Sequence, residues 1–102
     1  MPNPENVNPH NYKVDAIIYN DGDFSIAWGE WEDGAMHLAM RWNGENDAGY
    51  PKIFGHPVWF LLPDGLTVDI ISGILGNSNS NKPSIAKIIQ AMHPLGIAQP
   101  GT

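Results

Sequence analysis

Apolar and polar residues alternate in twos over the first half of the chain and recur every three or four positions over its last third. Val14, Ala16 and Ile18 alternate with Asp15 and Ile17, a spacing that predicts a strand ending at Tyr19. Asn20-Asp21-Gly22 follows, and these residue types tolerate the positive φ angles that a tight hairpin needs. From Asp23 to Glu32 the alternation sends Phe24, Ile26 and Trp28 to one face and Ser25, Ala27, Gly29 and Trp31 to the other. Beyond the Asp33-Gly34 turn it sends Met36, Leu38, Met40 and Trp42 to one face and His37, Ala39 and Arg41 to the other. The three runs predict an antiparallel meander with one strongly apolar face.

The period is lost between Asn43 and Pro57, where Gly44, Gly49, Gly55, Pro51 and Pro57 break up the run and predict a long loop. Val58 to Leu62 reads as a short buried fourth strand of the same sheet, with Trp59 inward beside Trp28 and Trp42, closed by Pro63-Asp64-Gly65. A helical stripe then runs through Leu66, Ile70 and Ile74, widened by Val68, Ile71 and Leu75 and capped by Gly76. After the polar linker Asn77 to Lys82, a second helix carries Ile85, Ile88, Ile89 and Met92 between Pro83 and Pro94. The expected fold is α+β: a three- or four-stranded antiparallel meander with two C-terminal helices packed on one face.

A chain of 102 residues supports one core, so residues 1–102 are read as a single domain, with 1–12 and 95–102 irregular or mobile. The hydrophobic fraction of 42% and four tryptophans exclude disorder of the whole chain. With no cysteine there is neither a disulfide framework nor a thiolate metal site. The Asn- and Pro-rich start lacks the basic flank and apolar stretch of an export signal, and the longest apolar run, Val58 to Leu62, is far too short to cross a bilayer. The expectation is a soluble protein of a reducing cytoplasm. The net charge of -6 removes any generic attraction to nucleic acid or anionic lipid, and neither is expected as a partner.

Chemistry-bearing side chains concentrate from Arg41 to Pro57. Arg41, Trp42, Asn43, Tyr50, His56 and Trp59 are the expected ligand-binding residues of a cleft under the loop, with Arg41 presenting its guanidinium fork to a small anionic ligand. The bland alternative pairs Arg41 with Glu30 or Asp15 across neighbouring strands. His10, His37, His56 and His93 match no metalloprotein spacing, so neither a metal nor another cofactor is expected. No nucleophile accompanies His37 or His56, and no catalytic residue is assigned. If the helices cover one face of the sheet, Ala27, Gly29, Trp31 and Ala39 leave an apolar surface on the other. Either a second subunit, making a homodimer, or the N-terminal arm or long loop of the same chain must cover it.

Three segments carry a resemblance: Ile18-Tyr19-Asn20-Asp21-Gly22-Asp23-Phe24-Ser25-Ile26-Ala27, then Met40-Arg41-Trp42-Asn43-Gly44, then Gly49-Tyr50-Pro51-Lys52 through Trp59-Phe60. Together, over Val14 to Leu75, they resemble small bacterial proteins of the integron gene-cassette type. The resemblance implies a mobile-element context and a compact domain open to dimerisation, and it transfers no activity. The functional expectation is a binding or interaction module. Its alternatives are a small enzyme acting on an anionic substrate, with Arg41 as anchor and His37 or His56 as acid or base, and an acidic inhibitor of a basic protein partner.

Overall fold

The structure, a computed structural model, describes residues 3–92. Its elements in chain order are β1 (Tyr12–Asn20), β2 (Phe24–Trp31), β3 (Met36–Trp42), β4 (Lys52–Ile53), β5 (His56–Pro57), β6 (Phe60–Leu61), α1 (Thr67–Ile74) and α2 (Lys82–Met92). Strands β1, β2, β3 and β6 form one antiparallel sheet in that order, the α+β arrangement the alternation predicts. Short 3-10 turns at Pro4–Asn6 and Asp64–Leu66 precede β1 and α1. The expected tail 95–102 lies outside the described residues.

The hairpins form where the turn chemistry placed them. Asp21 Oδ1 accepts from the Asp23 and Phe24 amides at 2.9 and 2.8 Å, and Asp33 Oδ1 accepts from the Ala35 amide at 2.8 Å. Each carboxylate replaces a hydrogen-bond partner that the chain reversal removes. The β2–β3 register runs unbroken from Phe24 opposite Trp42 to Glu30 opposite Met36, so the side predicted for every β2 and β3 residue is kept.

In β1 the expected alternation is broken. The pairing jumps between Val14 and Ala16 and again between Ile17 and Tyr19. Each irregularity adds an unpaired residue and shifts the period by one. Val14, Ala16 and Ile18 therefore do not share a face: Val14 and Ile17 pack on one core and Ile18 on the other.

The helices cover one face. Ile18, Ile26, Leu38, Leu62, Ile71, Ile85 and Ile88 form that core, with Phe24, Trp28 and Met40 packed against it. Burying each such aliphatic side chain contributes about 1.5–3 kcal/mol. The other face holds a second core of Val7, Tyr12, Ala27, Ala39 and Trp59. Ala27 and Ala39 pair directly across β2 and β3, and their small side chains let larger groups lie flat on the sheet. Trp59 occupies that space and donates its indole N–H to the Val7 carbonyl at 2.6 Å. Gly29 leaves room for Tyr12, whose ring would lie 2.7 Å from a Cβ at that position, and the Tyr12 hydroxyl donates to the His37 carbonyl at 2.8 Å. The N-terminal arm thus covers the second face in cis, and Trp59 lies opposite the side expected for it.

The fourth strand is two residues long, not five. Val58 donates its amide to Pro51, and Pro63 has no N–H with which to continue the ladder. The polar linker proves structural: Asn81 donates its amide to Ile18 at 2.8 Å, and the Asn20 amide donates to Asn79 at 3.2 Å. With Asn8 Oδ1 accepting from the Val14 amide at 2.7 Å, these contacts occupy the outer edge of β1, which would otherwise be open to pairing.

Candidate functional site

Arg41 faces away from the helices at the end of β3, as its parity requires, and is 1% exposed. Its Nη1 donates to the Pro51 and Val58 carbonyls and its Nη2 to the Ala48 carbonyl. The guanidinium carbon stands 5.8 Å from the centroid of the Trp59 ring. Burial pushes the Arg41 pKa down. The expected anion fork is thus turned inward, onto the loop that was expected to cover an anion. The planar fork reaches carbonyls at both ends of residues 48–58 at once: those of Ala48 and Val58, and that of Pro51, which also accepts the Val58 amide. Pairing with Glu30 or Asp15 does not occur either: the hydrogen bonds of Arg41 go to main-chain carbonyls.

Asn43 is also a strut. It is fully buried, accepts from Ser25 Oγ at 2.8 Å, donates from Nδ2 to the Gly22 carbonyl at 3.1 Å, and donates its amide to Asp23 at 2.7 Å. These bonds tie the end of β3 to the β1–β2 turn. The loop then doubles back through Gly49, whose φ is +71° and whose Cβ position is filled by the Trp42 carbonyl and the Arg41 guanidinium. Only glycine fits there. The reversal brings Tyr50 alongside Trp42, with amide-to-carbonyl distances of 2.7 and 3.0 Å in the two directions.

Trp42 and Tyr50 consequently stand side by side at the rim, 56% and 66% exposed. Phe24 meets the edge of Trp42 at 4.7 Å between centroids and 64° between planes. Phe60, opposite Met40 in the ladder, is 59% exposed. Phe24, Met40, Trp42, Tyr50, Pro51 and Phe60, with Arg41 at the base, enclose a cleft of about 310 Å³. Next to it, across the Trp42 and Tyr50 rings, a broader depression of about 630 Å³ is lined by Glu45, Asn46, Asp47 and Lys52. Sheet-borne aromatic rings exposed this far are large apolar surfaces held rigid without being buried.

Of the six expected residues, Trp42 and Tyr50 line this cleft and Arg41 supports it from beneath. Asn43 braces it, Trp59 belongs to the opposite face, and His56 is exposed on the β4–β5 hairpin. Phe24, Met40, Pro51 and Phe60 were missed. Reading Phe24 directly across from Trp42 was available from the hairpin register. The exposure of Phe60 was not, because it depends on how far two short helices reach over the sheet.

His37 lies at the far end of β3, 8% exposed. Its Nε2 is 3.1 Å from Asp33 Oδ2, and its Nδ1 is 2.6 Å from Asp64 Oδ1, a close ionic contact off the line of a hydrogen bond. Burial lowers its pKa, but the two carboxylates outweigh that and raise it above the ordinary value of 6.5. Each ring nitrogen faces a carboxylate, so the imidazole latches the β2–β3 turn to the 3-10 turn before α1. Among the described residues no three His, Cys, Asp or Glu side chains are grouped to hold a metal ion, and no helix is long and apolar enough to cross a membrane.

No family model matches the chain, and no curated protein or solved structure matches it.

Proposed function

We propose that the protein is a small binding module that receives its partner in the aromatic cleft at the Trp42 end of the sheet. The observation that supports this reading is the convergence of Trp42, Tyr50 and Phe60, each more than half exposed, on one cleft. Aromatic anchors placed on strands and braced from below lose little conformational entropy when they bind. Two features brace them here. Arg41 holds the loop from within the fold, and Asn43 fixes the strand end. A ligand or partner surface with an apolar face fits the cleft better than the anion expected from Arg41, whose Nη1 and Nη2 donors go to main-chain carbonyls.

The test is a thermal-shift screen of a metabolite library against the native protein and the Trp42→Ala variant. Binding to the native state raises Tm by mass action. The expected outcome is at least one compound whose shift is present in the native protein and absent in Trp42→Ala. Shifts that persist unchanged in Trp42→Ala and in Tyr50→Ala overturn the assignment of the cleft.

A further inference from the structure

The β4–β5 hairpin leaves the cleft wall at Pro51 and ends in a tight turn with Phe54 at its tip. Phe54 is 98% exposed, and its φ of +50° is followed by +79° at Gly55. Asparagine or glycine normally occupies the first position of such a turn, because a branched side chain there crowds the backbone. A phenylalanine here is unfavourable twice, in backbone conformation and in exposure, and nothing within the described chain compensates. Ile53 beside it is 56% exposed.

We propose that a second copy of this chain occupies the cleft, each protomer inserting Phe54 beside the partner's Trp42 and Tyr50. The proposal rests on the reading of the cleft as a binding site. Knob and cleft coexist on one molecule, three residues apart in sequence between Pro51 and Phe54, so neither can fold into the other within a single chain without unmaking the hairpin. A two-fold axis between two hairpins satisfies both at once, since in an isologous contact each copy supplies the same knob and the same cleft. Charge is compatible with this pairing: Lys52, next in sequence to the hairpin tip's Ile53, lines the same depression beside the cleft as Glu45 and Asp47, so the patch two copies would share carries both signs. Two-fold pairing brings each lysine to the partner's carboxylates, which offsets the mutual repulsion of two chains of net charge -6.

Sedimentation velocity of the full chain from about 1 μM to about 1 mM covers the affinities that a small interface of this kind supports. The expected result is a concentration-dependent dimer, with Phe54→Asn and Trp42→Ala each raising Kd by more than about tenfold. Phe54→Asn should melt no lower than the native monomer, since asparagine tolerates the turn, so loss of the dimer cannot be ascribed to unfolding. A mixture of the two variants retains one intact knob and one intact cleft, and it should form a heterodimer more readily than either forms a homodimer. A native protein that stays monomeric throughout overturns the proposal, as does a dimer indifferent to Phe54→Asn. If the native protein is monomeric yet a library compound protects it and not Trp42→Ala, the cleft stands as a binding site and the second copy is excluded from it. A dimer lost in Phe54→Asn but intact in Trp42→Ala overturns the cleft as the seat of the contact.

Discussion

At the scale of single residues, the most consequential side chain is Arg41, and its importance is architectural. A buried guanidinium is expensive unless its donors are matched, and here carbonyls from Ala48, Pro51 and Val58 match those on Nη1 and Nη2, while Nε has no partner. Removing the group takes that partner from the Ala48 and Val58 carbonyls in a buried site, while Pro51 keeps the Val58 amide. Arg41→Met, close in length and apolar, should therefore lower stability by about 3 kcal/mol or more, each charge-assisted hydrogen bond contributing about 1.5–3 kcal/mol. Arg41→Lys keeps the charge but not the fork, and should recover only part of the loss. Urea denaturation followed by circular dichroism measures both, as a fall in the midpoint with the slope unchanged. Equal stability of Arg41→Met and the native protein would mean that the loop needs no such peg. Arg41 also shows why the sequence misleads at this scale. An arginine beside aromatic residues and glycines has the composition of an anion site, and only the path of the loop decides whether its fork meets a ligand or the protein's own main chain.

Among elements, the best-preserved expectations are those that rest on local chemistry, and the lost ones depend on where distant segments lie. The Asp33-Gly34 hairpin and the faces of β2 and β3 follow from turn residues and a period of two, both confined to a few neighbours. The bulges of β1, the shortness of β6 and the crossing of Trp59 to the second face answer to the arm, the linker and the loop, whose placement no local pattern encodes. Part of the cleft was legible for the same reason: Trp42 and Tyr50 stand in an unusual loop pattern, whereas Met40 and Phe60 read as ordinary core. His37 joins elements in a way that pH can test. It bridges Asp33 in the β2–β3 turn to Asp64 in the 3-10 turn before α1; Tyr12, packed over the strand, has its phenol pushed up by burial and stays neutral. Since the His37 pKa is raised on folding, its stabilisation is fully present below 6.5 and is lost as pH rises through the folded value. For Asp33 the sign is opposite. Amide and imidazole hydrogen bonds lower its pKa, so its contribution holds above the ordinary value of 3.8 and is lost as pH falls through the folded value. Tm should thus decline as pH rises above 6.5, through the raised pKa of the folded imidazole. In His37→Gln that decline should be absent, and a slope common to both proteins would show that the latch does not carry it.

Over the whole molecule, the decisive arrangement is a sheet with two covered faces, of which the helices among the described residues cover one. The second cover is the N-terminal arm, pinned where Val7 packs at 3% exposure and accepts the Trp59 indole N–H, and where Asn8 holds the edge of β1. Ala27 and Ala39 make the middle of that face flat and apolar, so uncovering it would expose an adhesive surface. Deleting residues 1–9 removes the Val7 side chain, the partner of Trp59 and the Asn8 contact together. It should lower stability by about 3 kcal/mol, and Tm by more than about 10 °C for a domain of this size. The same deletion distinguishes two kinds of self-association. In the full chain the second face is occupied, and the proposed association runs through Phe54 and the cleft. In the truncated chain the exposed face should associate without regard to Phe54. Sedimentation of the deletion in a Phe54→Asn background should therefore show oligomers where the full-length Phe54→Asn protein shows none. If the truncated double variant remains monomeric and as stable as its parent, the arm is a passenger on the sheet and some other segment must keep that face from water.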